Sequence, residues 1–257
     1  MVDNSLSPHG GILIERIATR QEAARMIQGL PRLEVRDQLA REVVNLAYGF
    51  FSPLQGFMAR RDVESVATQM TLASGYVWSI PIVFDTSQED LARINAESGT
   101  SILLTYQDQP LAVLEVEELF QYDKETLAQQ IYGTTDSAHP GVVRTAAYQD
   151  WFIGGPITLV NPPVLNPPFD QFWRTPRQLR ESWTQANWAR VVAHQSRNVP
   201  PPGHEWMMKG AWFSAQANGI LVSAVVGEKK VGDYIDEAIV LAHHKLREAG
   251  FFRQDVH

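Results

Sequence analysis

The run Val191-Val192-Ala193-His194-Gln195-Ser196-Arg197-Asn198, followed shortly by His204-Glu205, gathers the residue types best suited to anion chemistry in this chain. Arg197 keeps its charge at any working pH and offers a planar fork of N–H donors matched to a tetrahedral oxyanion. Gln195 and Asn198 add neutral donors. Three apolar or small residues lead into these polar ones, and His204-Glu205 then opens a helical pattern. Such a sequence predicts a buried strand, a polar loop and a helix. An α/β fold places its ligands at that junction, where the carboxyl end of a strand meets the amino end of a helix. The segment therefore reads as an anion site of the nucleotide-binding kind. The plainer alternative for Arg197 is an ion pair with a nearby carboxylate, against which the loop context favours anion binding. For His204 it is a solvated residue in the first turn of a helix, and the two readings weigh equally.

Pro200-Pro201-Pro202 crosses the middle of this loop. Each proline fixes φ and removes a backbone donor, and the triplet favours a stiff polyproline II segment. Phosphate binding through backbone N–H groups is therefore expected to be weakened there, even if binding of a sulfate-like anion survives. A second candidate loop is Gly227-Glu228-Lys229-Lys230-Val231-Gly232-Asp233. Lys230 is positioned to touch phosphate, or it belongs to a solvated strand-to-helix turn. His243 and His244 are adjacent on a helical pattern, so they face different sides and make a poor shared metal site. The tryptophans Trp173, Trp183, Trp188, Trp206 and Trp212 cluster in the same part of the chain and suit core or interface packing.

The elements that must position these residues follow from patterning. Thr19 ahead of Gln21-Glu22-Ala23-Ala24-Arg25-Met26-Ile27 predicts a capped helix, and Arg61 to Gln69 a second. Strand signals come at Val77 to Phe84, Ser101 to Tyr106 and Leu111 to Glu117, the last two separated by Gln107-Asp108-Gln109-Pro110 as in a hairpin. This half reads as α+β around a β-rich core. Pro162-Pro163 and Pro167-Pro168 form a connector, extended before each proline, so the domains are drawn as 1–160 and 161–257. Beyond it, helix 175–188, strand 190–194, helix 204–218, strand 219–225 and helix 233–248, closed by Gly250, alternate as in an α/β parallel sheet.

Composition narrows the function further. The chain has 257 residues, 44% hydrophobic and 20% charged, as an ordinary globular protein does. A net charge of -7 argues against a nucleic-acid partner. With no cysteines, disulfides, thiolate zinc sites and cysteine nucleophiles are excluded. No apolar run predicts a membrane span, and the first residues lack the pattern of a signal peptide. A cytoplasmic setting is the expectation.

The whole pattern resembles the ATP sulfurylase (sulfate adenylyltransferase) family. Its signature Gln-x-Arg-Asn-Pro-x-His-x-x-His-Glu stands here as Gln195 to Glu205. Pro8-His9-Gly10-Gly11 is similar to the family's opening. Gly49 to Met58 is similar to its Gly-x-Phe-Ser-Pro-Leu-x-Gly-Phe-Met motif, and Leu111 to Glu117 and Tyr132 to Gly141 to two more. Gly154-Gly155-Pro156-Ile157 resembles the entry to its catalytic domain. The resemblance implies a PUA-like N-terminal domain and a partial Rossmann-like nucleotidyltransferase domain. It implies ATP and sulfate as small-molecule substrates in sulfur metabolism, with Mg2+ on the nucleotide. Gln195 and Arg197 would bind sulfate. Asn198, His204, Gly227 and Lys230 would bind ATP, and Arg197, Asn198 and His204 would be catalytic. His9 and His139 fall in N-terminal motifs and are read as structural.

The departures fall on the chemistry. Pro201 replaces the first signature histidine and Val199 the signature proline. Ser223 to Gly227 stands where the family has His-Pro-Leu-Val-Gly, and no Gly-Arg-Asp-His follows. The expectation is a sulfate adenylyltransferase-like chain whose turnover alone is feeble or absent. The alternative is a non-catalytic homologue or split-enzyme subunit that binds an oxyanion or a partner protein, as a homo-oligomer or with a complementing chain.

Overall fold

Thr19 opens the first helix with a capping box. Its hydroxyl accepts from the Glu22 N–H, and the Glu22 carboxylate accepts from the Thr19 N–H. Two donors at the helix start are satisfied reciprocally. Similar local logic sets the other termini: Asp123 caps one helix and Thr175, with Gln178, another. The structure is a computed structural model that describes residues 6–227 and 231–250. It divides into two compact units, Pro8–Pro163 and a second from Val164 onward.

The first unit runs α1 (Arg20–Met26), β1 (Arg32–Glu34), α2 (Asp37–Ala47), β2 (Gly56–Phe57), α3 (Arg60–Gln69), β3 (Phe84–Thr86) and α4 (Gln88–Ile94). It continues through β4 (Ser101–Tyr106), β5 (Gln109–Glu115), β6 (Glu118–Phe120), α5 (Lys124–Tyr132), α6 (Pro140–Ala146) and β7 (Trp151–Leu159). The strands form one sheet in the order β1-β4-β5-β7-β2, and β3 and β6 also pair with β7. Only the β1–β4 pairing is parallel. Phe84, Phe120 and Phe152 are fully buried beside Ile102, Leu104, Leu114 and Ile157. Helix α2 adds Val43 and Leu46 to this core, and α3 adds Val63 and Val66. Apolar burial on this scale is the main stabilising term of the unit.

Three expectations for this half change. The β4–β5 turn is only Gln107-Asp108, both at positive φ (51° and 62°), and Gln109 and Pro110 already belong to the strand pair. Two left-handed residues suit the twist of a hairpin. Val77 to Val83 is not a strand. Val77 makes one isolated bridge to Thr71, and Pro81 lacks the N–H a ladder needs, so pairing starts only at Phe84. Gly154-Gly155-Pro156-Ile157 lies inside β7, at the heart of the first unit rather than at the entry to a later domain. A Cβ on Gly155 would come within 2.0 Å of the Glu115 carbonyl oxygen, so close backbone approach accounts for the glycine.

The second unit runs α7 (Phe169–Phe172), α8 (Pro176–Gln185), β8 (Val191–Ser196), α9 (Pro202–Ser214), β9 (Gly219–Ala224) and α10 (Asp236–Glu248). Strands β8 and β9 pair in parallel, Val191 opposite Gly219 and Ser196 opposite Ala224. Helix α9 crosses between them, packing Met208 on Ile220 with Val192, Trp212 and Val222 around. The ends differ from the pattern by a turn or less. Helix α9 starts at Pro202 because proline suits a first-turn position. Helix α10 starts at Asp236, after a turn, rather than at Asp233. Gly250 follows it at positive φ. Gly219 lies against Trp188, where a Cβ would meet the ring at 2.1 Å, so this tryptophan is a packing residue.

Candidate functional site

Alternate residues of a strand share a face, and β8 uses both of its faces at its carboxyl end. Val192, His194 and Ser196 lie on the side covered by α9. Val192 packs on the α9 core, and Ser196 is buried. Ala193 and Gln195 are exposed on the other side. Gln195 pairs in register with Ser223, the residue that stands for the missing histidine of the second motif. The Asn198 N–H donates to the Ser196 hydroxyl at 3.1 Å and turns the chain out of the strand.

Arg197 stands at the mouth of this turn. Its Nη2 donates to both oxygens of Asp233, at 2.6 and 2.7 Å. The structure thus realises the ion pair that was the alternative to anion binding. The Asp233 side chain is 15% exposed and that of Arg197 47%. Asp233 belongs to the loop after β9, where the Gly227 N–H donates to the Asp236 carboxylate at 3.0 Å. Gly227 itself takes a φ of +119°. Lys230 lies outside the described residues.

Loop residue Pro201 caps α9 in an extended conformation, and Pro202 is its first helical residue. His204 comes two residues later, its N–H donating to the Pro201 carbonyl at 2.9 Å. Its ring meets that of His194, with centroids 5.1 Å apart and planes at 66°. His194 Nε2 and His204 Nδ1 are buried and have no hydrogen-bond partner among the described residues. Burial, and then the charge of His204, hold the His194 pKa below the usual imidazole range. Glu205 is engaged by Lys209 one turn on. Among the described residues no group of three His, Asp or Glu side chains could hold a metal ion.

The structure therefore gathers two pairs at one strand-to-helix junction: Arg197 with Asp233, and His204 with His194. Gln195 and Asn198 flank them. The sequence pattern points to Gln195, Arg197, Asn198, His204, Gly227 and Lys230, but not to His194 or Asp233. The period-two row Val192, His194, Ser196 carries the signal for His194. Nothing local marks Asp233, which is 36 residues from its partner. Two N-terminal histidines have structural contacts: His139 accepts the Gly141 N–H at 3.1 Å to start α6, and His9 bonds the Val77 carbonyl at 2.9 Å.

Comparison with known proteins identifies relatives of both units. Residues 6–162 match the family model of a PUA-like domain, and residues 170–257 match that of ATP-sulfurylase. The chain is 35% identical to the sulfate adenylyltransferase of Archaeoglobus fulgidus, over 97% of this chain and 60% of that one. It is 37% identical to that of Hyperthermus butylicus, over 93% of this chain and 61% of that one. The chain thus spans about 60% of the length of these relatives. A hexameric APS kinase from Thiobacillus denitrificans shares the fold at a TM-score of 0.73 and 21% identity, covering 98% of this chain and 45% of that one. With both family models matched in order along one chain, this protein belongs to the ATP sulfurylase family.

Proposed function

We propose that the chain is a sulfate adenylyltransferase, converting ATP and sulfate to adenylyl sulfate and pyrophosphate. The likeness to sulfate adenylyltransferases running through the Gln195–Glu205 junction is the observation that carries this reading. Sulfate is a weak nucleophile, so the protein's task is to hold one of its oxygens in line with the α-phosphorus while pyrophosphate departs. Gln195 and Arg197 hold sulfate, Arg197 exchanging Asp233 for the anion. Asn198 and His204 donate to the ATP phosphates and meet the charge that develops on them. Gly227 lines the nucleotide loop, and Lys230 is assigned to the same phosphates. Magnesium would be carried by the nucleotide phosphates and would supply positive charge there. The PUA-like domain is drawn at 1–160 and the partial adenylyltransferase domain at 161–257, in a cytoplasmic protein that binds neither nucleic acid nor membrane.

A crystal structure of the chain with adenylyl sulfate tests the assignment. We expect the sulfuryl oxygens against Gln195 and Arg197, the adenylyl phosphate near Asn198 and His204, and Asp233 released from Arg197. A ligand bound elsewhere, or an intact Arg197–Asp233 pair beneath it, would overturn the assignment.

A second reading, a subunit completed by another copy or another chain, draws on α9. Trp206 and Phe213 are 72% and 79% exposed on a helix that is apolar on most sides. Large exposed apolar side chains on one element suit a protein interface.

A further inference from the structure

Strand β8 carries a histidine with no part in the assignment above. His194 sits two residues before the strand ends, on the face that α9 covers, and its ring lies edge-on to His204 at 5.1 Å. His194 Nε2 and His204 Nδ1 are both sealed from solvent without a partner among the described residues. Folded proteins rarely leave two such nitrogens unsatisfied side by side. Each imidazole can turn an N–H toward a common acceptor, depending on its tautomer.

The surrounding backbone raises the demand for such donors. The start of a helix favours an anion through its free N–H groups. Pro200, Pro201 and Pro202 have none, so fewer backbone donors remain for an anion there and side chains must supply more of its bonds. Of the nearby charges, Arg197 pairs with Asp233 and Glu205 with Lys209, whereas His194 Nε2 and His204 Nδ1 have no partner among the described residues.

We propose that His194 is a phosphate-binding residue of this site: with His204 it forms a two-imidazole clamp for a nucleotide phosphate oxygen, supplying from β8 the imidazole lost at Pro201. The inference rests on the nucleotide reading of the junction. The clamp keeps two imidazoles at the site while moving one from the loop to the strand. The proline triplet then stiffens the loop at no loss of side-chain donors.

The test is calorimetric titration of the full chain with pyrophosphate, and separately with adenosine. The variants are His194→Phe, which keeps an aromatic ring against His204, and His194→Gln, which keeps a donor. We expect His194→Phe to weaken pyrophosphate binding about ten-fold, His194→Gln to recover part of that loss, and adenosine binding to stay unchanged. Ring 15N resonances of both histidines should move when pyrophosphate is added to the unaltered protein. Unchanged pyrophosphate affinity in His194→Phe, or movement of His204 alone, would overturn the clamp and leave the nucleotide reading intact. So would equal loss of pyrophosphate and adenosine binding in His194→Phe, which would mark His194 as a structural residue. Failure of the unaltered chain to bind pyrophosphate or ATP would overturn both.

Discussion

Arg197 has two competing partners, a carboxylate that it holds in the structure and an oxyanion that its donors suit. Asp233 is a counter-ion that the anion must displace. An ion pair with a half-exposed guanidinium is weak, about 0.2–1 kcal/mol, so displacement costs little compared with a charge-assisted bond to an oxyanion. Asp233→Asn should therefore raise sulfate affinity up to about five-fold at low salt, and the gain should shrink as salt screens the site. Calorimetric titration with sulfate measures it, and weaker binding in the variant would show Asp233 to be a positioning group rather than a competitor. The strand-to-helix junction was legible, because Gln195, Arg197 and Asn198 crowd into four consecutive residues after an apolar run. The partners were not. Asp233 reaches Arg197 across 36 residues, and His194 meets His204 only once β8 and α9 are packed.

Legibility at the level of elements follows the reach of the signals. Thr19 with Glu22 is a local cap and predicted its helix within a residue. The parallel pair β8–β9 followed from two apolar runs separated by a helical one. Val77 to Val83 misled because its apolar residues mimic a strand, whereas Tyr76, Val77 and Ile80 stay exposed and Pro81 breaks any ladder. Gly154-Gly155 was seen as a motif but not as the centre of β7, where that strand pairs with β5, β2, β3 and β6. The structure gives the motif its physical reason: Gly155 has a φ of +152°, and its missing Cβ would strike the Glu115 carbonyl. Gly155→Ala should destabilise the first unit by about 3 kcal/mol or more. A lowered urea midpoint at unchanged slope would bear this out, and an unchanged midpoint would contradict the packing described for β7.

The first unit has a large buried core and the second a thin one. Among the described residues, the α9–β9 cluster centres on Met208 and Ile220, while Trp206, Phe213, Tyr234 and Ile235 stay exposed. The order of motifs made the family legible across the chain, because long family motifs stand in sequence along both of the matched ranges. Activity was not legible, since the departures at Pro201, Val199 and Ser223 fall on the residues that would carry it. Under the proposed function, the junction around Arg197 still transfers an adenylyl group. The most direct test is ATP formation from adenylyl sulfate and pyrophosphate by the purified full chain with magnesium, beside Arg197→Ala. The expected result is slow turnover that falls by at least about a hundred-fold in the variant. No turnover from the folded chain, or equal turnover in Arg197→Ala, would contradict it.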